Sequence, residues 1–144
     1  MEKNYKELII LIAEDDDGHA ELIIDGLTES GIKNQMIRFS NGVEAWKFIS
    51  NTGDAPGRSK NHTYLLLLDI NMPKMDGIEV LRRMKSDEEL KEIPVIILTT
   101  TDDPREVEAC YRLGCNVYVT KPIDFLKFTE TLKRLGLFIQ IVKI

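Results

Sequence analysis

Short apolar runs alternate along the chain with segments of helical periodicity. Leu8–Ala13, Leu65–Leu68 and Val95–Leu98 are apolar at every position, Gln35–Phe39 alternates, and Val117–Thr120 reads as the last strand. Apolar runs too short for a helix fit strands covered on both faces, as inside a parallel sheet. Between them come helical stripes: Ala20, Ile23, Ile24 and Leu27, then Val43, Ala45, Trp46 and Ile49, then Ile78, Val80, Leu81 and Met84. A fourth helix is predicted from about Asp103 to Leu113, and a fifth from about Asp124 to Leu135 with Phe128, Leu132 and Leu135 inward. Gly31 and Gly114 end the first and fourth helices, and Ser40 or Asn41 can cap the second. Five strands alternating with five helices predict an α/β fold built on a doubly wound parallel sheet. Asn51–Thr63 carries Gly, Pro, Ser, Asn and His without periodicity, and reads as a long mobile loop within one domain.

Composition narrows the class. A chain of 144 residues with 43% hydrophobic and 30% charged positions is expected to form one domain over residues 1–144, with its core at about 8–135. The net charge of −5 and the lack of a basic block argue against nucleic-acid binding through phosphates. The amino terminus is charged and polar, unlike a secretory signal, and no apolar run approaches membrane-spanning length. A cytoplasmic protein without a membrane partner is expected. Cys110 and Cys115 have neither a second pair nor clustered His, so neither a zinc site nor a disulfide framework is implied.

The candidate chemistry sits where the apolar runs stop. The first strand runs into Glu14 and Asp15, the third into Asp69, the fourth into Thr99 and Thr100, and the fifth into Lys121. Open α/β sheets place their ligands at the carboxyl ends of the strands, so these groups are expected to share one cleft. Asp69 could merely cap a strand–helix connection, and a lone acidic cluster could be a solvated loop. Three carboxylates, a hydroxyl and an ammonium from different strand ends are harder to read that way. Clustered carboxylates repel one another unless a cation compensates. A few hard oxygen ligands with room for water suit Mg²⁺ better than an all-protein Ca²⁺ cage. Neither His19, on the first helix, nor His62, in the loop, is placed near this edge.

The ordered set Glu14-Asp15, Asp69-x-Asn71-Met72-Pro73-x-x-Asp76-Gly77, Thr99-Thr100 and Lys121-Pro122 resembles the response-regulator receiver domain of two-component signalling. The similarity spans about Leu8 to Leu135. It implies a flavodoxin-like sheet of order 2-1-3-4-5 and makes Asp69 the phosphoryl acceptor. Asp15 and Asp69 would bind Mg²⁺, with Glu14 holding it through water and Asn71 through its backbone carbonyl, while Thr99 and Lys121 hold phosphoryl oxygens. Tyr118 matches the aromatic switch position. A receiver catalyses only its own phosphorylation and dephosphorylation and is not otherwise an enzyme.

Two roles stay open on these residues. One is a stand-alone receiver phosphorylated by a sensor histidine kinase and acting through partner binding. The other is a relay intermediate that passes its phosphoryl group to a histidine phosphotransfer protein. Nothing after Leu135 is expected to form a DNA-binding domain. The long loop, the Leu98–Asp103 run, Lys121–Phe125 and the apolar tail over residues 136–144 are similar to receivers that serve bacterial phytochrome kinases. Phe125 and the tail residues Leu137, Phe138, Ile139, Ile141, Val142 and Ile144 are surplus to the core stripe. They must pack on their own domain, extending the fifth helix, or in a homodimer through the fourth helix, fifth strand and fifth helix.

Overall fold

Each apolar run becomes a strand and each helical stripe a helix in the computed structural model, which describes residues 7–142. In chain order the elements are β1 (Glu7–Ala13), α1 (Asp17–Glu29), β2 (Met36–Phe39), α2 (Gly42–Ser50), β3 (His62–Leu68), α3 (Gly77–Lys85), a short 3₁₀ turn (Leu90–Glu92), β4 (Val95–Thr99), α4 (Pro104–Leu113), β5 (Val117–Thr120) and α5 (Phe125–Val142). All strand pairs are parallel and run in the order β2-β1-β3-β4-β5, the flavodoxin-like order expected from the resemblance.

The all-apolar runs follow from the two covered faces. Successive side chains on a strand point to opposite faces. Accordingly Ile9, Leu11, Leu66, Leu68, Val95 and Ile97 join Ala45, Ile49, Val80, Leu81 and Met84 beneath α2, α3 and α4. Ile10, Ile12, Leu65, Leu67, Ile96 and Leu98 join Ile23, Leu27, Phe128, Leu132 and Leu135 beneath α1 and α5. A strand with polar residues at every second position would leave one layer without a floor.

The helix starts are fixed by side-chain caps. Asp16 accepts the N–H of His19, Asn41 that of Glu44, Asp76 that of Glu79 and Asp103 that of Arg105. Each satisfies an amide that has no partner within its own helix. On α2 only Ala45 and Ile49 of the expected inward face are fully buried. Trp46 is half-buried at the margin of that core, where the Arg83 guanidinium lies 5.6 Å from its ring centroid. The connection after α2 is tied down at Arg58, whose Nε donates to the Ile49 carbonyl at 2.7 Å and whose N–H donates to the Phe48 carbonyl at 3.1 Å.

At the carboxyl end the fifth helix runs past its expected stop at Leu135, the first of the two courses open to the apolar tail. α5 continues unbroken to Val142, and Gly136 and Ile139 are buried with Leu135. Gly136 rests so close to α1 that a Cβ there would stand 1.9 Å from Ser30 Oγ. Gln140 Nε2 donates to the Ser30 carbonyl at 3.0 Å. Leu137, Phe138, Ile141 and Val142 are exposed, as is Phe125. Ile144 lies outside the described residues. No helix among the described residues is long and apolar enough to cross a membrane.

Candidate functional site

The register of the sheet assembles the site. Ala13 pairs with Leu68 and Thr99 with Thr120, so Glu14, Asp69 and Lys121 each stand one step beyond the last paired residue of their strands. Backbone bonds hold them there: Asp69 N–H donates to the Ala13 carbonyl at 3.0 Å, and Lys121 N–H donates to the Thr99 carbonyl at 2.6 Å. The turn after Asp69 closes as Gly77 N–H donates to the Ile70 carbonyl at 2.8 Å. Gly77 has no substitute at this point, because a Cβ would lie 2.1 Å from the Asp69 backbone oxygen.

Carboxylate oxygens of Glu14, Asp15 and Asp69 lie within 4.8 Å of one another. Asp15 is exposed, whereas Glu14 and Asp69 are only 1% and 7% accessible. The Lys121 ammonium, itself 3% accessible, bridges the two buried acids. It donates to Glu14 Oε1, and to Asp69 Oδ2 at 3.2 Å. Burial pushes the Glu14 carboxyl up to about 7; the bond from Lys121 pulls it down and the Asp69 charge pushes it up. One ammonium against three carboxylates leaves net negative charge in a cleft that opens to solvent at Asp15. The donors are oxygens alone, with no Cys or His among them, and that chemistry fits a hard divalent cation.

Thr99 Oγ1 is fully buried and has no hydrogen-bond partner among the described residues. A buried hydroxyl left unpaired by the protein has room for a partner from outside it, such as a ligand oxygen or a water. Asn71 is exposed; its N–H donates to Asp69 Oδ1 at 3.3 Å and its amide reaches Thr101 Oγ1 at 3.3 Å. Tyr118 is half-buried, and its hydroxyl donates to the Thr101 carbonyl at 2.6 Å, linking β5 to the loop that follows β4. Burial raises this phenol to about 12, so it stays protonated and able to donate.

Glu14, Asp15, Asp69 and Lys121 therefore meet in one cleft, with Thr99 at its margin and Asn71 on the adjoining loop. Two residues join them unanticipated. His19, expected away from this edge, places its Nδ1 3.1 Å from Lys121 Nζ. Arg38, at the end of β2, donates from Nε to the Glu14 carbonyl at 2.9 Å and from Nη1 to Asp17 at 2.8 Å. Each had a faint signal. His19 lies in the first turn of the helix that opens over the acids, and Arg38 is the charged residue of a strand whose neighbour ends on Glu14.

A family model for the response regulator receiver domain matches residues 10–133. The chain belongs to that family. Response regulator Rcp1 of a Synechocystis species is 37% identical over 113 residues, covering 78% of this chain and 76% of its relative. The Mn²⁺-bound form of Rcp1 superposes with a TM-score of 0.81 at 33% identity, over 90% of this receiver and 92% of that chain. A receiver domain from Rhodospirillum rubrum gives a TM-score of 0.82 at 38% identity, over 92% and 94% of the two chains. The phosphorylated cyanobacterial phytochrome response regulator RcpA gives 0.80 at 30% identity, over 92% and 93%. A divalent metal in one of these receivers agrees with the acidic cluster of this one.

Proposed function

We propose that this receiver accepts a phosphoryl group on Asp69, with Mg²⁺ as cofactor, from a sensor histidine kinase. The observation that carries the reading is the meeting of three carboxylates with the buried Lys121 ammonium beside a buried hydroxyl, Thr99, that lacks a partner. An Asp69 carboxylate oxygen attacks the phosphorus of a phosphohistidine. The phosphorus–nitrogen bond breaks as the aspartyl phosphate forms, and the leaving imidazole nitrogen takes up a proton. Phosphoryl transfer depends chiefly on positioning and charge stabilisation. Asp15, Asp69, Glu14 and the Asn71 carbonyl would hold the metal. When bound, the ion offsets charge on the transferred group. Lys121 turns from the acids to a phosphoryl oxygen, and Thr99 Oγ1 donates to another, gaining the partner it lacks.

The same bond formation operates the switch. Thr99 drawn toward the phosphoryl group opens space behind it, and Tyr118, tied to the Thr101 carbonyl, changes its packing on the surface of α4, β5 and α5. That surface carries the exposed Phe138 beside a groove of about 320 Å³ lined by Val117, Val119, Arg134 and Leu135. It suits a second copy of the chain, joined about a two-fold axis. The names of its relatives, RcpA above all, support a bacterial phytochrome as the kinase.

Acetyl phosphate with Mg²⁺ should label wild type and leave Asp69→Asn unlabelled. An acid-labile label that persists in Asp69→Asn refutes Asp69 as acceptor. Sedimentation with and without beryllofluoride tests the dimer, and a protein monomeric in both states at high micromolar concentration refutes it.

A further inference from the structure

An ammonium carries three donors and no acceptor. All three directions at Lys121 Nζ are met: Glu14 Oε1, Asp69 Oδ2 and, at 3.1 Å, His19 Nδ1. We propose that His19 is a positioning residue that holds the Lys121 ammonium in line with Asp69. Because Lys121 can only donate, the imidazole must turn a lone pair toward it from Nδ1 and carry its proton on Nε2. The imidazole thus meets the ammonium through a ring nitrogen, whereas Glu14 and Asp69 meet it through carboxylate oxygens.

The ring is held from two sides. Asp16 accepts the His19 N–H at 2.9 Å, which fixes the residue in the first turn of α1 above the cleft. Phe128 of α5 meets the ring edge-on, with centroids 5.6 Å apart and planes at 72°. The cap sets where the side chain starts and the phenyl ring sets how far it can turn. The competing reading is that His19 merely fills space against Phe128. On that reading any ring of similar size would serve, and the 3.1 Å approach of Nδ1 to the ammonium would have no consequence.

The inference rests on Lys121 acting on the phosphoryl group bound for Asp69, and two variants separate it from the packing alternative. His19→Asn keeps an acceptor near the place of Nδ1 and loses the ring. His19→Phe keeps a ring against Phe128 and loses the acceptor. The rate of phosphorylation by acetyl phosphate at saturating Mg²⁺ should fall about tenfold in His19→Phe, the scale of one bond to a charged group. It should stay within about twofold of wild type in His19→Asn, on the same scale. A His19→Phe protein that reacts at the wild-type rate overturns the proposal, and so does equal slowing in both variants. A second measurement needs no substitution: imidazole nitrogen-15 shifts at pH 8 should report the Nε2–H tautomer at His19. The Nδ1–H tautomer would overturn the proposal. Wild type takes up label in every one of these outcomes, whereas failure of Asp69 phosphorylation itself would leave wild type unlabelled.

Discussion

The two ends of the sheet are built from similar residues to opposite effect. At the amino end, beside the starts of β3 and β4, Arg58, His62, Tyr64, Glu89 and Pro94 line a cleft of about 470 Å³. One ion pair crosses it at the surface: the largely buried Arg58 meets Glu89 at 3.0 Å, and the Glu89 carboxylate is exposed. Its polar groups also serve the chain, since Tyr64 accepts the Ser59 N–H at 2.7 Å and Arg58 holds the Ile49 carbonyl. At the carboxyl end the charges are unequal, buried and gathered on one ammonium, next to a hydroxyl with no partner. At the amino end the polar groups hold the chain, whereas at the carboxyl end buried charge is left for a ligand to balance. Buried acids outnumbering their cation point to a candidate site where a cleft alone does not.

The comparison can be broken most forcefully at Lys121. Lys121→Met leaves Glu14 and Asp69 buried without their cation. Loss of one member of a buried ion pair costs about 3–5 kcal/mol. Urea unfolding at pH 8 without metal should show a loss on that scale, reduced at pH 5, where Glu14 holds a proton. Phosphorylation of the folded variant should no longer raise partner binding. At the other end, Arg58→Ala should cost about 1–3 kcal/mol, chiefly by leaving the Ile49 carbonyl short of a donor. Its rate of labelling by acetyl phosphate should match wild type, and a slowed rate would erase the distinction between the ends.

The pH dependence sharpens the contrast. Glu14 sits at about 7 when folded and at 4.5 as a free side chain, so between these values the folded protein holds a proton that the unfolded chain has released. Metal-free stability from this group is therefore full below pH 4.5 and lost as pH rises through 7. The slope is at most about 1.4 kcal/mol per pH unit, one proton's worth. Glu14→Gln should flatten that slope in pH-dependent denaturation. Smallest of all, Glu89→Gln should change stability by less than about 1 kcal/mol, since the pair it breaks is open to solvent.

Much of this was legible in the chain, for identifiable reasons. Glu14, Asp69 and Lys121 could be read because each interrupts an apolar run, and parallel strands bring such interruptions to one edge. His19 and Arg38 could not, because they reach the cleft sideways, through a helix cap and a neighbouring strand end that no linear spacing encodes. The full length of α5 was left open at Gly136. A glycine after a helical stripe ordinarily reads as a stop signal, yet here it makes room for Ser30 while Ile139 carries the stripe one turn further. The caps were partly visible, with Asn41 taking the role that Ser40 could also have filled.

That seating of Gly136 on Ser30 has a mechanical consequence. With Gln140 fastened to the Ser30 carbonyl and Phe128 braced on His19, α5 is anchored to α1 near both ends. The two helices form a single splint, about 27 Å long at 1.5 Å for each of the 18 residues of α5. A packed path therefore runs from His19 at one end of the pair to the exposed Phe138, Ile141 and Val142 at the other.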